Sequence, residues 1–181
     1  MERLKKAAII TRLIEMLRQR GSWCGETHIQ KAMLFLQDML HVPTDWDYVL
    51  YRHGPFSFDL RDELTALRGD EIIKLEPQHP PYGPKVGVTE RASYVQGLFE
   101  KTVREYEPRI AFVADWLGAK GVTELERLAT ASWVTKESPS MSVAERGQAV
   151  TKLKPHIDRA EADLAVDAVD KMADKVRSLV H

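Results

Sequence analysis

Residues 51–57 hold the densest group of side chains that could recognise a partner. Two cations, two aromatic rings and a hydroxyl fall within seven positions. A purely structural turn is the alternative, because glycine has a free φ, proline fixes the next dihedral and serine caps helices. The candidate contact residues are therefore Tyr51, Arg52, His53 and Phe56, and the turn-forming residues are Gly54, Pro55 and Ser57.

Cys24 is the residue with the strongest nucleophilic chemistry. It lies just before a predicted helix, with His28 nearby, and a thiol at a helix N-terminus can have a lowered pKa. No Asn or Asp partner and no family nucleophile sequence accompany it, so a small, partly buried hydrophobe is the alternative. We expect no catalytic residues; a Cys/His-dependent enzyme remains the enzymatic alternative.

No metal or cofactor site is predicted. The six histidines are scattered, and neither an HExxH sequence nor a glycine-rich phosphate loop is present. They are His28, His41, His53, His79, His156 and His181. We therefore expect neither a metal nor a cofactor.

Helical periodicity begins at residue 4 and dominates the chain. Residues 4–18 have apolar residues at steps of three and four, ending near Gly21. A second helix is predicted to open with a capping box formed by Thr27 and Gln30 and to stop at Pro43. Because this second helix is apolar around most of its circumference, we expect it to be central and buried.

A short strand and a hairpin follow the second helix. Residues 45–51 alternate as in a strand, and Ser57 is placed to cap a third helix that ends near Gly69. Strands at 71–75 and 85–88 flank a proline-rich loop that carries Tyr82. The order of helix, helix, strand, helix and hairpin is typical of a winged helix with a small antiparallel sheet.

The rest of the chain is predicted to be helical. Pro108 is suited to the first position of a helix, and so is Pro155 for the last helix. Further capping boxes are predicted where the periodicity restarts, at Thr123 with Glu126 and at Ser142 with Glu145. We predict a mainly α (α+β) single domain over 1–181, with a winged-helix-like part at 1–90 and a C-terminal helical bundle at 91–181.

The charge distribution bears on the class of partner. The chain has 26 Lys and Arg against 27 Asp and Glu, for a formal net charge of −1, whereas a polyanion-binding domain is normally basic. The predicted third helix, the DNA-reading element of a winged helix, is net acidic. The basic excess lies in the first helix, at Arg3, Lys5, Lys6, Arg12, Arg18 and Arg20.

The sequence also limits the compartment. One cysteine excludes an internal disulfide, and no apolar run approaches the roughly 20 residues needed to cross a bilayer. The N-terminus lacks the pattern of a signal peptide. We expect a cytoplasmic protein with no membrane partner.

Five short segments follow one another along the chain: residues 28–33 (HIQKAM), 51–57 (YRHGPFS), 60–64 (LRDEL), 124–130 (ELERLAT) and 153–156 (LKPH). Together, in this order and spacing, they resemble the SocA-like/Panacea antitoxin superfamily and its YwgA-like branch. The resemblance implies a mostly helical domain with a small sheet and no established catalytic residues. It also implies a toxin–antitoxin or phage-defence context.

The combined prediction is a non-enzymatic protein-binding module, antitoxin-like or regulatory, that sequesters a partner protein. A winged-helix DNA-binding regulator that uses the basic first helix is the alternative. The predicted contact surface is Tyr51, Arg52, His53, Phe56, Arg61, Asp62 and the loop residue Tyr82.

Overall fold

The computed structural model describes residues 1–180, which are mainly helical and include two small antiparallel sheets. This confirms the mainly α prediction; His181 lies outside the described residues. The elements are α1 (Arg3–Gln19), α2 (Glu26–Asp38), β1 (Val49–Tyr51), β2 (Gly54–Phe56), α3 (Phe58–Gly69), β3 (Ile73–Glu76), β4 (Lys85–Val88), α4 (Glu90–Leu98), α5 (Glu100–Leu117), α6 (Val122–Glu137), α7 (Val143–Leu153) and α8 (Arg159–Val180).

Contacts divide the chain into two compact units. The first comprises Met1–Tyr48 and Ser57–Gly121, and the second comprises Val49–Phe56 and the chain from Val122 onward. The hairpin of β1 and β2 therefore belongs to the second unit, with α6, α7 and α8. The predicted division into residues 1–90 and 91–181 of one domain stays a prediction.

The first unit is built around α1 and α2. Helix α2 buries nine consecutive residues, 28–36, which confirms the predicted central helix. Helix α1 packs against α4 and α5, and α2 packs against α5 and α3. The β3–β4 hairpin and its proline-rich loop form as predicted, with Ile73 opposite Val88.

The sheets differ from the single sheet predicted, because β1 pairs with β2 and not with the β3–β4 hairpin. Only Val49–Tyr51 of the predicted strand 45–51 is paired. The alternation still predicts burial correctly, since Trp46 and Tyr48 are buried while the residues beside them are exposed. Burial of alternate side chains does not require a neighbouring strand.

Three predicted helix ends are wrong. Pro108 lies inside α5. The helical conformation is interrupted instead at Phe99, whose φ of −123° and ψ of 36° separate α4 from α5. Helix α2 ends at Asp38, before Pro43. Pro155 lies before α8, which begins at Arg159 after Asp158 accepts a hydrogen bond from the amide of Glu161 at 2.8 Å.

Of the three predicted capping boxes, only Ser142 with Glu145 forms, with both reciprocal hydrogen bonds. Helix α2 begins one residue before Thr27, after Gly25, with no side-chain cap. Helix α6 begins one residue before Thr123. The other two capping boxes do not form. Their polar residues, Gln30 and Glu126, contact residues far along the chain instead.

Candidate functional site

The β1–β2 hairpin presents the predicted turn at its tip. Tyr51 lies opposite Gly54, and Arg52 and His53 form the turn between them. Gly54 has φ +81°, which confirms the left-handed conformation that its sequence position predicts. A Cβ at this glycine would also lie only 3.0 Å from Thr130 Oγ1, so α6 packs tightly against the turn.

The buried side chain of Lys154 binds the backbone of this turn. Its ammonium donates to the carbonyl oxygen of Tyr51 at 2.7 Å and to that of Arg52. The Lys154 side chain is only 8% exposed, and its Nζ lies 3.6 Å from Glu126 Oε1. A buried lysine requires such partners, because an isolated ammonium inside a protein is very costly.

Glu126 is the counter-charge of this buried lysine. Its side chain is 7% exposed, on the face of α6 that packs against β2. The Nε2 atom of His156 lies 3.3 Å from Oε1, and the Nδ1 atom of His53 lies 3.7 Å from Oε2. One buried carboxylate therefore faces a buried ammonium and two imidazoles that are mostly exposed, at 58% and 72%.

The arrangement leaves two buried oxygens without hydrogen bonds. Within the part of the chain that the structure describes, Glu126 Oε1 and Thr130 Oγ1 are buried and accept none. The same part contains no group of three or more His, Cys, Asp or Glu side chains arranged to hold a metal ion. In this arrangement the buried charges of Glu126 and Lys154 balance each other, and Lys154 also binds the backbone of the turn.

The exposed side of the hairpin carries Tyr51, Arg52 and His53. Phe56 is half-buried, and its ring centre lies 5.8 Å from that of Tyr51. Of the four predicted contact residues here, three are therefore on the surface and Phe56 supports the Tyr51 ring.

The other predicted contact residues belong to the first unit. Arg61 and Asp62 are exposed on α3 and pair with each other at 2.8 Å. Tyr82 is exposed in the proline-rich loop, where its ring centre lies 5.0 Å from that of Trp23. Tyr51, Arg52, His53 and Phe56 thus belong to the same unit as the buried Glu126–Lys154 pair.

Ser57 caps α3 as predicted, since its hydroxyl accepts from the amide of Leu60 at 3.2 Å. The buried Gln30 binds the same serine twice. Its Nε2 donates to the Ser57 carbonyl at 2.8 Å, and its Oε1 accepts from the Ser57 amide at 3.0 Å. Gln30 therefore positions the start of α3 and does not cap its own helix.

Cys24 occupies a setting that disfavours a thiolate. The side chain is fully buried, and this burial raises the pKa of the thiol to about 12. Burial also lowers the pKa of His28, which opposes a charged imidazole there. The structure therefore gives no support for an activated nucleophile at Cys24.

Sequence reasoning missed Glu126, Thr130, Lys154 and His156 as site residues. Glu126 fitted a capping box, and Lys154 and His156 flank Pro155, the predicted first residue of the last helix. The segments 124–130 (ELERLAT) and 153–156 (LKPH) contain all four. Only the tertiary structure of the second unit brings these four residues together with residues 51–54 of the turn.

No described helix has both the length and the apolar composition needed to cross a membrane. No protein-family model matches the chain, and no curated protein matches it.

Proposed function

We propose that this chain is a non-enzymatic protein-binding module, antitoxin-like or regulatory, that acts in the cytoplasm by sequestering a partner protein. The observation that carries the proposal is the exposed turn at Tyr51, Arg52 and His53, fixed from below by Lys154. A turn fixed before binding loses little conformational entropy when a partner docks. Arg and Tyr are also the residue types that dominate binding hot spots.

The family resemblance supports this proposal. The turn of residues 51–57 (YRHGPFS) and the segments 124–130 and 153–156 resemble the same superfamily. The anchor of the turn is formed by Glu126 and Lys154, one from each of the latter two segments. The resemblance thus falls on residues that act together.

The alternative, DNA binding through α1, is less well supported by the charges. Arg3, Arg18 and Arg20 pair with the carboxylates of Asp70, Glu76 and Asp115. Arg12 likewise pairs with Glu107, and the ammonium of Lys6 lies over the Trp46 ring at 4.2 Å. Cations that are already neutralised release few counterions from a duplex.

Photo-crosslinking tests the proposed surface. A photoreactive phenylalanine analogue replaces Tyr51 in one variant and the exposed Tyr94 of α4 in a control, in cells of the native host. We expect one protein to crosslink from position 51 and not from position 94. The crosslinked partner, once purified, should bind the wild-type chain and should not bind a variant with alanine at Arg52 and His53.

Two results would contradict the proposal. Equal crosslinking from both positions would remove the surface assignment. Steeply salt-dependent binding to duplex DNA in a mobility-shift experiment at two salt concentrations, together with no crosslinked protein, would favour the DNA-binding regulator.

A further inference from the structure

We infer that the surface at the tip of the β1–β2 hairpin accepts an acidic segment of the partner protein. We call it the hairpin-tip surface and define it as Tyr51, Arg52, His53, Lys152, Leu153 and His156. This inference rests on the proposed function and names the chemistry of the partner.

The first support is an excess of positive charge at this surface. Arg52 and Lys152 are exposed, and neither pairs with a carboxylate among the described residues. Several other cations of the second unit do pair with carboxylates, as Arg146 does with Asp170 and Arg159 with Asp163. Both Arg52 and Lys152 lie close to the anchor along the backbone, because Lys154 binds the Arg52 carbonyl and follows Lys152 by two residues.

The second support is that the neighbouring carboxylate cannot neutralise these charges. Glu126 is buried, and its charge is balanced by the ammonium of Lys154. The exposed His53 and His156 add positive charge to the surface whenever they are protonated. The carboxylate of Glu126 therefore lies beneath the exposed Arg52, His53 and His156.

The third support is the apolar surface beside the cations. Tyr51 and Leu153 are both exposed large apolar side chains. The guanidinium of Arg52 can bind a carboxylate through two parallel hydrogen bonds. The matching segment carries Asp or Glu interleaved with aliphatic or aromatic residues.

A nucleic acid fits this surface less well. A duplex carries one charge per ~1.7 Å along its axis and is normally bound by a strip of several cations. The hairpin-tip surface has only two cations without a carboxylate partner among the described residues, and elsewhere in the unit Arg127 pairs with Glu161. The charge pattern favours a short acidic protein segment.

Peptide binding to the full chain tests the inference. The probe is a fluorescein-labelled peptide that alternates Glu with Leu and Phe, and the matched peptide replaces each Glu with Gln. We expect the acidic peptide to bind at least about tenfold more tightly. Arg52→Glu and Lys152→Glu should each weaken its binding by about tenfold.

Arg68→Glu provides the matched control. Arg68 is an exposed arginine of the first unit that has no carboxylate partner among the described residues. We expect this variant to bind the acidic peptide as the wild type does. Circular dichroism of all three variants checks that these surface changes leave the fold intact.

Three results of the peptide-binding experiment would overturn the inference. They are absence of acidic-peptide binding, equal binding of the Gln peptide, and unchanged binding in both the Arg52 and Lys152 variants. Preferential binding of duplex DNA that the same two variants abolish would also overturn it. If a protein still crosslinks from position 51, only the inference fails; if none does, the proposed function fails as well.

Discussion

Replacing Lys154 with methionine is the most direct perturbation of the site. Methionine has a similar length and keeps much of the apolar stem, but it removes the ammonium. The carbonyl oxygens of Tyr51 and Arg52 then lose a charged donor. The buried carboxylate of Glu126 loses the cation 3.6 Å from its Oε1.

The loss of these contacts sets the expected decrease in the free energy of unfolding. Breaking a buried ion pair by removing one partner costs about 3–5 kcal/mol of the free energy of unfolding. The exposed His156, 3.3 Å from Glu126, can supply part of the missing charge when protonated, so we expect the lower end, about 3 kcal/mol. For a chain of this size that cost lowers the melting temperature by roughly 6–12 °C.

Thermal unfolding measures the loss of stability. Hydrogen exchange is measured as well, because the two units need not unfold together. Exchange of the amides of residues 49–56 should accelerate in Lys154→Met. Lys152→Met is the matched control, since Lys152 is exposed two residues earlier, and we expect its stability to change by less than about 0.5 kcal/mol.

A double-mutant cycle with Glu126→Gln isolates the interaction. We expect Glu126→Gln to cost about 2 kcal/mol and the double variant to cost at least about 1 kcal/mol less than the sum of the single changes. Wild-type stability in Lys154→Met would refute the reasoning. Strict additivity would instead refute the coupling between the two charges.

Three further predictions concern residues outside this ion pair. Gly54→Ala should destabilise the chain by about 2–4 kcal/mol in urea unfolding, against about 1–2 for Gly21→Ala, because both have positive φ but only Gly54 is closely packed; equal costs would contradict the close contact. Cys24 should resist alkylation at neutral pH until the protein unfolds, because its thiol is buried and its pKa is about 12, and rapid native labelling would refute this. Burial lowers the pKa of His28 below its ordinary 6.5, so the unfolded chain binds more protons than the folded chain as the pH falls through that value. The free energy of unfolding should therefore fall from pH 6.5 downward, and it should fall less steeply in His28→Gln. Identical pH profiles of stability in the two proteins would contradict this prediction.

Local sequence determined most of the helices. Apolar steps of three and four place α1 and α2, and burial of alternate residues around Trp46 follows the sequence pattern. Ser57 and Gly54 adopt the cap and the positive φ that their positions predict. These features depend on interactions within a few residues, so a single sequence contains the information needed to predict them.

Tertiary structure decided what the polar side chains bind. Ser142 and Glu145 form a capping box at an exposed helix start, where the nearby amides are the available partners. Glu126 and Gln30 have the same local spacing but are buried, and there they meet Lys154 and the backbone of Ser57. The cost of burying a charge or amide without partners favours these long-range contacts over local caps, and no local pattern encodes which distant residue will be there.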